Sequence, residues 1–166
     1  MDAALFQTSI IGLVNVTFTL LAMRLVDKVG RKVLLQYGAL GMGICYVFIG
    51  LLYFLGMTEG IYLLFFFLLT TAFYATSLAP VVWVVISEIF PNIIRGLGMS
   101  AATVFLWIGT YVLTLTFPIL MQAIQGSFTF WIYAAICFAG VIFIWKVLPE
   151  TKGKSLEELE RELIKE

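Results

Sequence analysis

Five long apolar stretches constrain this chain more than any other feature of its sequence. They cover residues 5–23, 33–56, 61–87, 97–121 and 128–148, and none has a charged residue in its interior. Each exceeds the ~18 residues that mark a membrane-spanning helix, whereas a transmembrane barrel would show alternating segments of about 10 residues. The composition agrees, with 62% hydrophobic residues against roughly 45–50% in soluble domains. The sequence therefore predicts an all-α integral membrane protein with five transmembrane helices over residues 1–148.

The basic residues indicate how these spans are oriented. All ten fall on one side of a five-span arrangement, namely Arg24, Lys28, Arg31, Lys32, Arg95, Lys146, Lys152, Lys154, Arg161 and Lys165. Short cytoplasmic loops are enriched in Lys and Arg, and this bias sets the orientation of membrane proteins. We therefore expect a multi-pass protein of the cell membrane, with its N-terminus outside and its C-terminus in the cytoplasm.

The last segment, residues 149–166, has the pattern of a short amphipathic helix. Ser155 and Glu158 form a capping box, and Leu156, Leu159 and Leu163 recur at helical spacing among glutamates. We expect a cytoplasmic tail that packs on the membrane domain. A partner-binding role is the less favoured alternative.

Several functional classes are disfavoured by residues that the chain lacks. It has no histidine, its formal net charge is zero, and none of its acidic residues lies inside an apolar stretch. Cys45 and Cys137 both fall inside those stretches, where neither a disulfide framework nor a metal cluster is indicated. We therefore expect no enzyme activity, no cofactor, no metal and no nucleic-acid partner.

Uncharged polar and aromatic groups inside the spans are the candidates for ligand binding. Gln7 and Asn15 are eight residues apart, close to two helical turns, so they share nearly one face. Pro80 interrupts the third stretch and predicts a helix break, with Trp83 one turn beyond it. Amides and indoles suit a neutral polyhydroxylated ligand. For Asn15 and for Trp107 in the fourth stretch, helix–helix packing is an equally good interpretation.

Four motifs, in this order and spacing, resemble the sugar porter family of the major facilitator superfamily. They are Asp-Lys-Val-Gly-Arg-Lys at 27–32, Ala-Pro-Val-Val-Trp at 79–83, Ser-Glu-Ile-Phe-Pro at 87–91 followed by Arg-Gly at 95–96, and Pro-Glu-Thr-Lys-Gly at 149–153. The resemblance covers essentially the whole chain. It corresponds to spans eight to twelve of bacterial sugar and myo-inositol permeases that symport protons.

The resemblance implies a role for several residues. Asn15, Trp83 and Trp107 match positions that contact sugar, and Gln7 joins them as a candidate because it shares a face with Asn15. The charged set matches the cluster that holds the cytoplasmic gate shut, and it consists of Asp27, Arg31, Glu88 and Arg95. Topology anchoring is the alternative role for this cluster.

Three departures from the family pattern qualify this interpretation. Ala79 replaces the usual glycine before the proline, and Leu106 replaces the usual amide before Trp107. Family members have twelve spans, so seven would be missing here. We therefore interpret the chain as part of a carbohydrate transporter that works by alternating access. It would contribute one wall of the cavity and the cytoplasmic gate, and we do not expect it to transport alone.

The partners follow from this interpretation. The expected substrate is a sugar or polyol such as a hexose, a pentose or myo-inositol, in a lipid bilayer, and proton coupling would rest on the missing N-terminal half. The alternative is a non-transporting membrane subunit that assembles with a full-length carrier.

Overall fold

The protein is helical throughout the part of the chain that its computed structural model describes, residues 2–58, 60–150 and 152. The helices are α1 Asp2–Val29, α2 Arg31–Phe54, α3 Ile61–Thr76, α4 Leu78–Ile89, α5 Arg95–Ala123 and α6 Gln125–Val147. Because α3 and α4 together form one apolar span, five helical segments are long and apolar enough to cross a membrane. The predicted all-α, five-span membrane fold is confirmed.

Three of the four connections between the spans are shorter than the apolar pattern suggests. The expected charged loop between the first two spans is almost entirely helical, since only Gly30 separates α1 from α2. Gly30 has φ 104°, a left-handed conformation that glycine adopts readily. Helical hydrogen bonding does not stop where the chain leaves the hydrocarbon, so the apolar runs underestimate the helices. The expected amphipathic tail helix lies almost entirely outside the described residues.

Helix α2 is the centre of the bundle, with its most extensive contacts to α6 and then to α3. Glycines on this helix allow aromatic rings of its neighbours to approach closely. A β-carbon at Gly50 would lie 2.5 Å from the Trp131 indole nitrogen, and one at Gly43 would lie 2.9 Å from the Phe138 ring. The indole nitrogen of Trp131 also donates to the Val47 carbonyl at 3.3 Å. Small residues at such contacts let membrane helices pack tightly.

Helices α1 and α5 are the least covered parts of the structure. None of the residues of α5 is buried, and only 6% of the apolar window of α1 is. In the described residues α4 contacts both of these helices, whereas α1 and α5 do not contact each other. The three helices therefore form an open wall on one side of the bundle.

The third span is interrupted at Ser77, three residues before Pro80. Ser77 has φ −126° and ψ −81°, outside the helical region. Pro80 lacks the N–H that would bond to the Thr76 carbonyl, so α3 ends at Thr76 and Pro80 falls in the first turn of α4. A helix tolerates proline there, because the N–H groups of the first turn have no partner within the helix.

Candidate gate and substrate wall

Arg31 joins three helices at the end of the bundle that carries the basic residues. Its Nη2 lies 3.1 Å from Glu88 Oε1 on α4 and 3.4 Å from Asp27 Oδ1 on α1. The side chains of Arg31 and Glu88 are only 15% and 25% exposed, whereas that of Asp27 is 76% exposed. The pair with Glu88 is therefore the better shielded of the two. Arg31 Nη1 also donates to the Val26 carbonyl at 3.3 Å.

A third carboxylate, that of Glu150, caps the N-terminus of α2. Its Oε1 accepts from the backbone N–H of Arg31 at 3.0 Å, and its Oε2 accepts from that of Lys32 at 3.2 Å. The first N–H groups of a helix lack partners within it, and the helix dipole favours an anion there. A β-carbon at Gly30 would lie 2.8 Å from Glu150 Oε2, so glycine also gives this carboxylate room.

Glu150 belongs to the motif at 149–153, but the sequence alone indicated no contact for it. The available signal was an acidic residue just after the last apolar stretch. Two lysines add to the same connection between the α1–α2 junction and the region at the end of α6. Lys32 Nζ donates to the Trp145 carbonyl at 2.9 Å, and Lys152 Nζ donates to the Lys28 carbonyl.

The fourth candidate gate residue, Arg95, is the first residue of α5. Its Nε donates to the Phe90 carbonyl at 3.3 Å, and its buried Nη2 has no hydrogen-bond partner among the described residues. The structure thus places Arg31 in contact with both Asp27 and Glu88, and it connects Arg95 to the turn that precedes α5. An apolar cluster beneath the gate joins α2 to α4, with buried Leu34, Leu35, Val81 and Val85.

The candidate substrate residues lie on the open wall. Gln7 and Asn15 are on α1, where Gln7 is exposed and Asn15 half-buried. Trp83 on α4 is 41% exposed, and Trp107 on α5 is 61% exposed. Because α1 and α5 do not touch, α4 with Trp83 stands between the amides and Trp107. This chain alone does not enclose the four side chains in a cavity in the part that the structure describes.

Two of the cavities in the described part of the bundle lie away from these four side chains. One of about 470 Å³ is lined by aromatic rings that include Tyr46, Phe117 and Tyr133. The Tyr133 hydroxyl donates to the Leu113 carbonyl at 3.2 Å, which links α6 to α5. The other, of about 340 Å³, lies beside the interruption of the third span and includes Ser77.

Comparison with known proteins gives consistent matches over the whole chain. The family described as "Sugar (and other) transporter" matches residues 1–163. The D-xylose-proton symporter of Escherichia coli (strain K12) is 44% identical over 165 residues, covering 96% of this chain and 33% of that protein. The arabinose-proton symporter of Bacillus subtilis (strain 168) is 38% identical over 164 residues, covering 99% of this chain and 35% of that protein.

A solved structure agrees at the level of the fold. The xylose transporter XylE from E. coli, in its inward-open conformation, matches with a TM-score of 0.88 and 43% sequence identity. The match covers 96% of this chain and 36% of the transporter. The chain therefore spans about one third of the length of the relatives that it matches.

Proposed function

Because this chain belongs to the family of sugar (and other) transporters, we propose that it works in the membrane as part of a longer carrier for a sugar or polyol. The observation that carries this proposal is that one bundle has both a wall of candidate substrate residues and a charged cluster at one of its ends. Amide and indole side chains lie on α1, α4 and α5, the three helices of the open wall, and a charged connection closes one end of the same bundle. Alternating access needs such a bundle to rock against a second one around a midplane site.

The side chains of the wall define the class of substrate. An amide such as that of Asn15 both donates and accepts, so it can bond to neighbouring hydroxyls of one sugar ring. The indole face of Trp83 can cover the apolar C–H face of that ring. Neither group carries charge, and the described spans hold no acidic residue between their ends. We propose a neutral pentose, hexose or myo-inositol, and we assign proton coupling to the rest of the carrier.

The charged connection is proposed to act as the cytoplasmic gate. Arg31 contacts α1 and α4 through side-chain carboxylates, while Glu150 connects the end of α6 to the start of α2. The pair with the exposed Asp27 contributes only ~0–1 kcal/mol, so it cannot hold the closed state without the other contacts of the network. A pair this weak can separate when the gate opens. We propose that this end faces the cytoplasm, since it carries the basic residues.

Sugar binding to the purified full-length carrier tests the proposal, with D-xylose, L-arabinose and myo-inositol as ligands. Asn15→Ala should weaken binding by roughly tenfold or more. Removing the amide leaves a buried substrate hydroxyl without a hydrogen-bond partner, which costs ~1–3 kcal/mol. A cost of ~1.4 kcal/mol raises the Kd by a factor of about ten. Trp83→Ala should lose on the order of 1 kcal/mol, comparable to one or two buried methylene groups.

Trp145→Ala is the matched control for the indole. Trp145 lies near the end of α6 and is 64% exposed, so its loss should leave the affinity unchanged. If it weakens binding as much as Trp83→Ala does, the losses reflect general misfolding and Trp83 has no place in the site. If the purified carrier binds none of the three ligands, a non-transporting subunit becomes the better interpretation.

A further inference from the structure

The interruption of the third span rests on a glycine of α2 that belongs to neither the wall nor the gate. We propose that Gly38 is a positioning residue, whose missing side chain seats Ser77 and thereby fixes where the span breaks. Its effect on the backbone stands by itself, and only its effect on sugar binding rests on the proposed function.

The hydroxyl of Ser77 replaces a backbone hydrogen bond that the break removes. In a continuous helix the Ser77 N–H would donate to the Phe73 carbonyl, four residues earlier. Here it donates to the Tyr74 carbonyl at 3.3 Å. The Ser77 Oγ donates to the Phe73 carbonyl at 2.7 Å instead. Ser77 is only 1% exposed, so this carbonyl would otherwise lose its partner in a buried place.

Gly38 leaves the space that this serine occupies. A β-carbon at position 38 would overlap both Cβ and Oγ of Ser77, and it would lie 3.3 Å from the Phe73 carbonyl oxygen. The next glycine on the same helix has a similar close contact. A β-carbon at Gly41 would lie 2.5 Å from Cδ1 of the Phe73 ring. One stretch of α2 therefore holds both the donor and the acceptor of the hydrogen bond at the break.

Helix α4, which follows the break, has its own contacts with α2. Ser77 is therefore the junction between two helices that pack on α2 at different places. Val81 and Val85 of α4 are buried against α2, and Glu88 pairs with Arg31. A displacement at Ser77 must therefore change how α3 meets α4, and Trp83 lies on α4. The cavity of about 340 Å³ that Phe73 and Ser77 help to line gives the end of α3 room to move. We expect alanine at position 38 to displace the break rather than prevent folding.

Hydrogen–deuterium exchange of the full-length carrier, without ligand, tests this role through the amides of residues 76–79. Gly38→Ala should speed their exchange by roughly tenfold, equivalent to ~1.4 kcal/mol. Gly140→Ala on α6 is the matched control, since a β-carbon there meets nothing within 4 Å. It should leave the exchange of these amides within twofold of the parent.

A double-mutant cycle separates direct contact from general destabilisation. In a Ser77→Gly background, where Cβ and Oγ are gone, adding Gly38→Ala should change exchange by less than twofold. An equal effect in both backgrounds would overturn the proposal, as would a Gly38→Ala effect no larger than that of Gly140→Ala. If the Gly38→Ala variant does not fold, the double variant is compared with Ser77→Gly alone. The two should exchange at the same rate, and a difference between them would also overturn the proposal.

Sugar binding is measured on the same variants. Gly38→Ala should raise the Kd several-fold, and adding it to Ser77→Gly should raise the Kd no further. The exchange cycle gives its result whether or not the carrier binds sugar. A failure of the proposed function is therefore seen separately from a failure of this inference.

Discussion

Replacing Glu150 by alanine should loosen the start of α2 and thereby the closed gate. The carboxylate accepts from the N–H groups of Arg31 and Lys32 at 3.0 and 3.2 Å. Both amides belong to the first turn of α2, so no carbonyl within the helix can replace the lost acceptor. The change removes an anion and its two hydrogen bonds to the start of α2, while the backbone of Gly30 can remain as it is.

The expected magnitude follows from the position of this contact. Removing a capping side chain costs ~0.5–2 kcal/mol, and an anion near a helix N-terminus contributes ~0.3–1 kcal/mol. Glu150 is half-buried, so water reaches the freed amides only in part. We therefore expect a loss of about 1–2 kcal/mol, or roughly 5- to 30-fold in the local opening equilibrium. Glu150→Gln keeps one carbonyl acceptor and should have an intermediate effect.

Hydrogen exchange at the amides of Arg31 and Lys32 measures this opening in the full-length carrier. Asp27→Ala is the control, because it removes another carboxylate beside Arg31 whose side chain is 76% exposed. Such a pair contributes only ~0–1 kcal/mol, so exchange should change little. Unchanged exchange in Glu150→Ala, or an equal effect of Asp27→Ala, would refute the capping argument.

Two further predictions concern the orientation and the gate. A single cysteine that replaces Lys28 should be labelled only from the cytoplasm, and one that replaces Gln125 should be labelled only from outside. A reversed or mixed pattern would contradict the proposed topology. Glu88→Gln leaves the half-buried Arg31 without its better shielded charge partner, so it should bias the carrier toward inward-facing forms. The measurement is maleimide labelling of cytoplasmic-side cysteines, and unchanged labelling would favour a simple anchoring role for the cluster.

The sequence by itself determined the class of fold. Charged residues are costly in hydrocarbon and a bilayer has a fixed thickness, so five long uncharged runs allow little besides five helices. This reasoning explains why the spans are apolar on average, but it does not predict the residues at which the helices begin and end. Arg24 and Lys28 are as hydrophilic as loop residues, and yet they lie within α1, because a helix can continue into the polar layer.

The candidate site was only partly predictable. The resemblance implied one cluster of Asp27, Arg31, Glu88 and Arg95, and the structure brings the side chains of the first three together. Their gating role and the substrate role of Asn15 and Trp83 stay predictions. Proline chemistry indicated a break near Pro80, but the actual end of α3 lies a few residues earlier, where the hydrogen-bond acceptor loses its donor.

Only the tertiary structure decided which distant residues support these local features. Glu150 reaches the start of α2 across 119 residues of sequence, and Gly38 faces Ser77 on a different span. No periodicity or short motif specifies such contacts. They depend on which faces of α2, α3 and α6 pack together, and that is settled by side-chain volumes at close helix contacts.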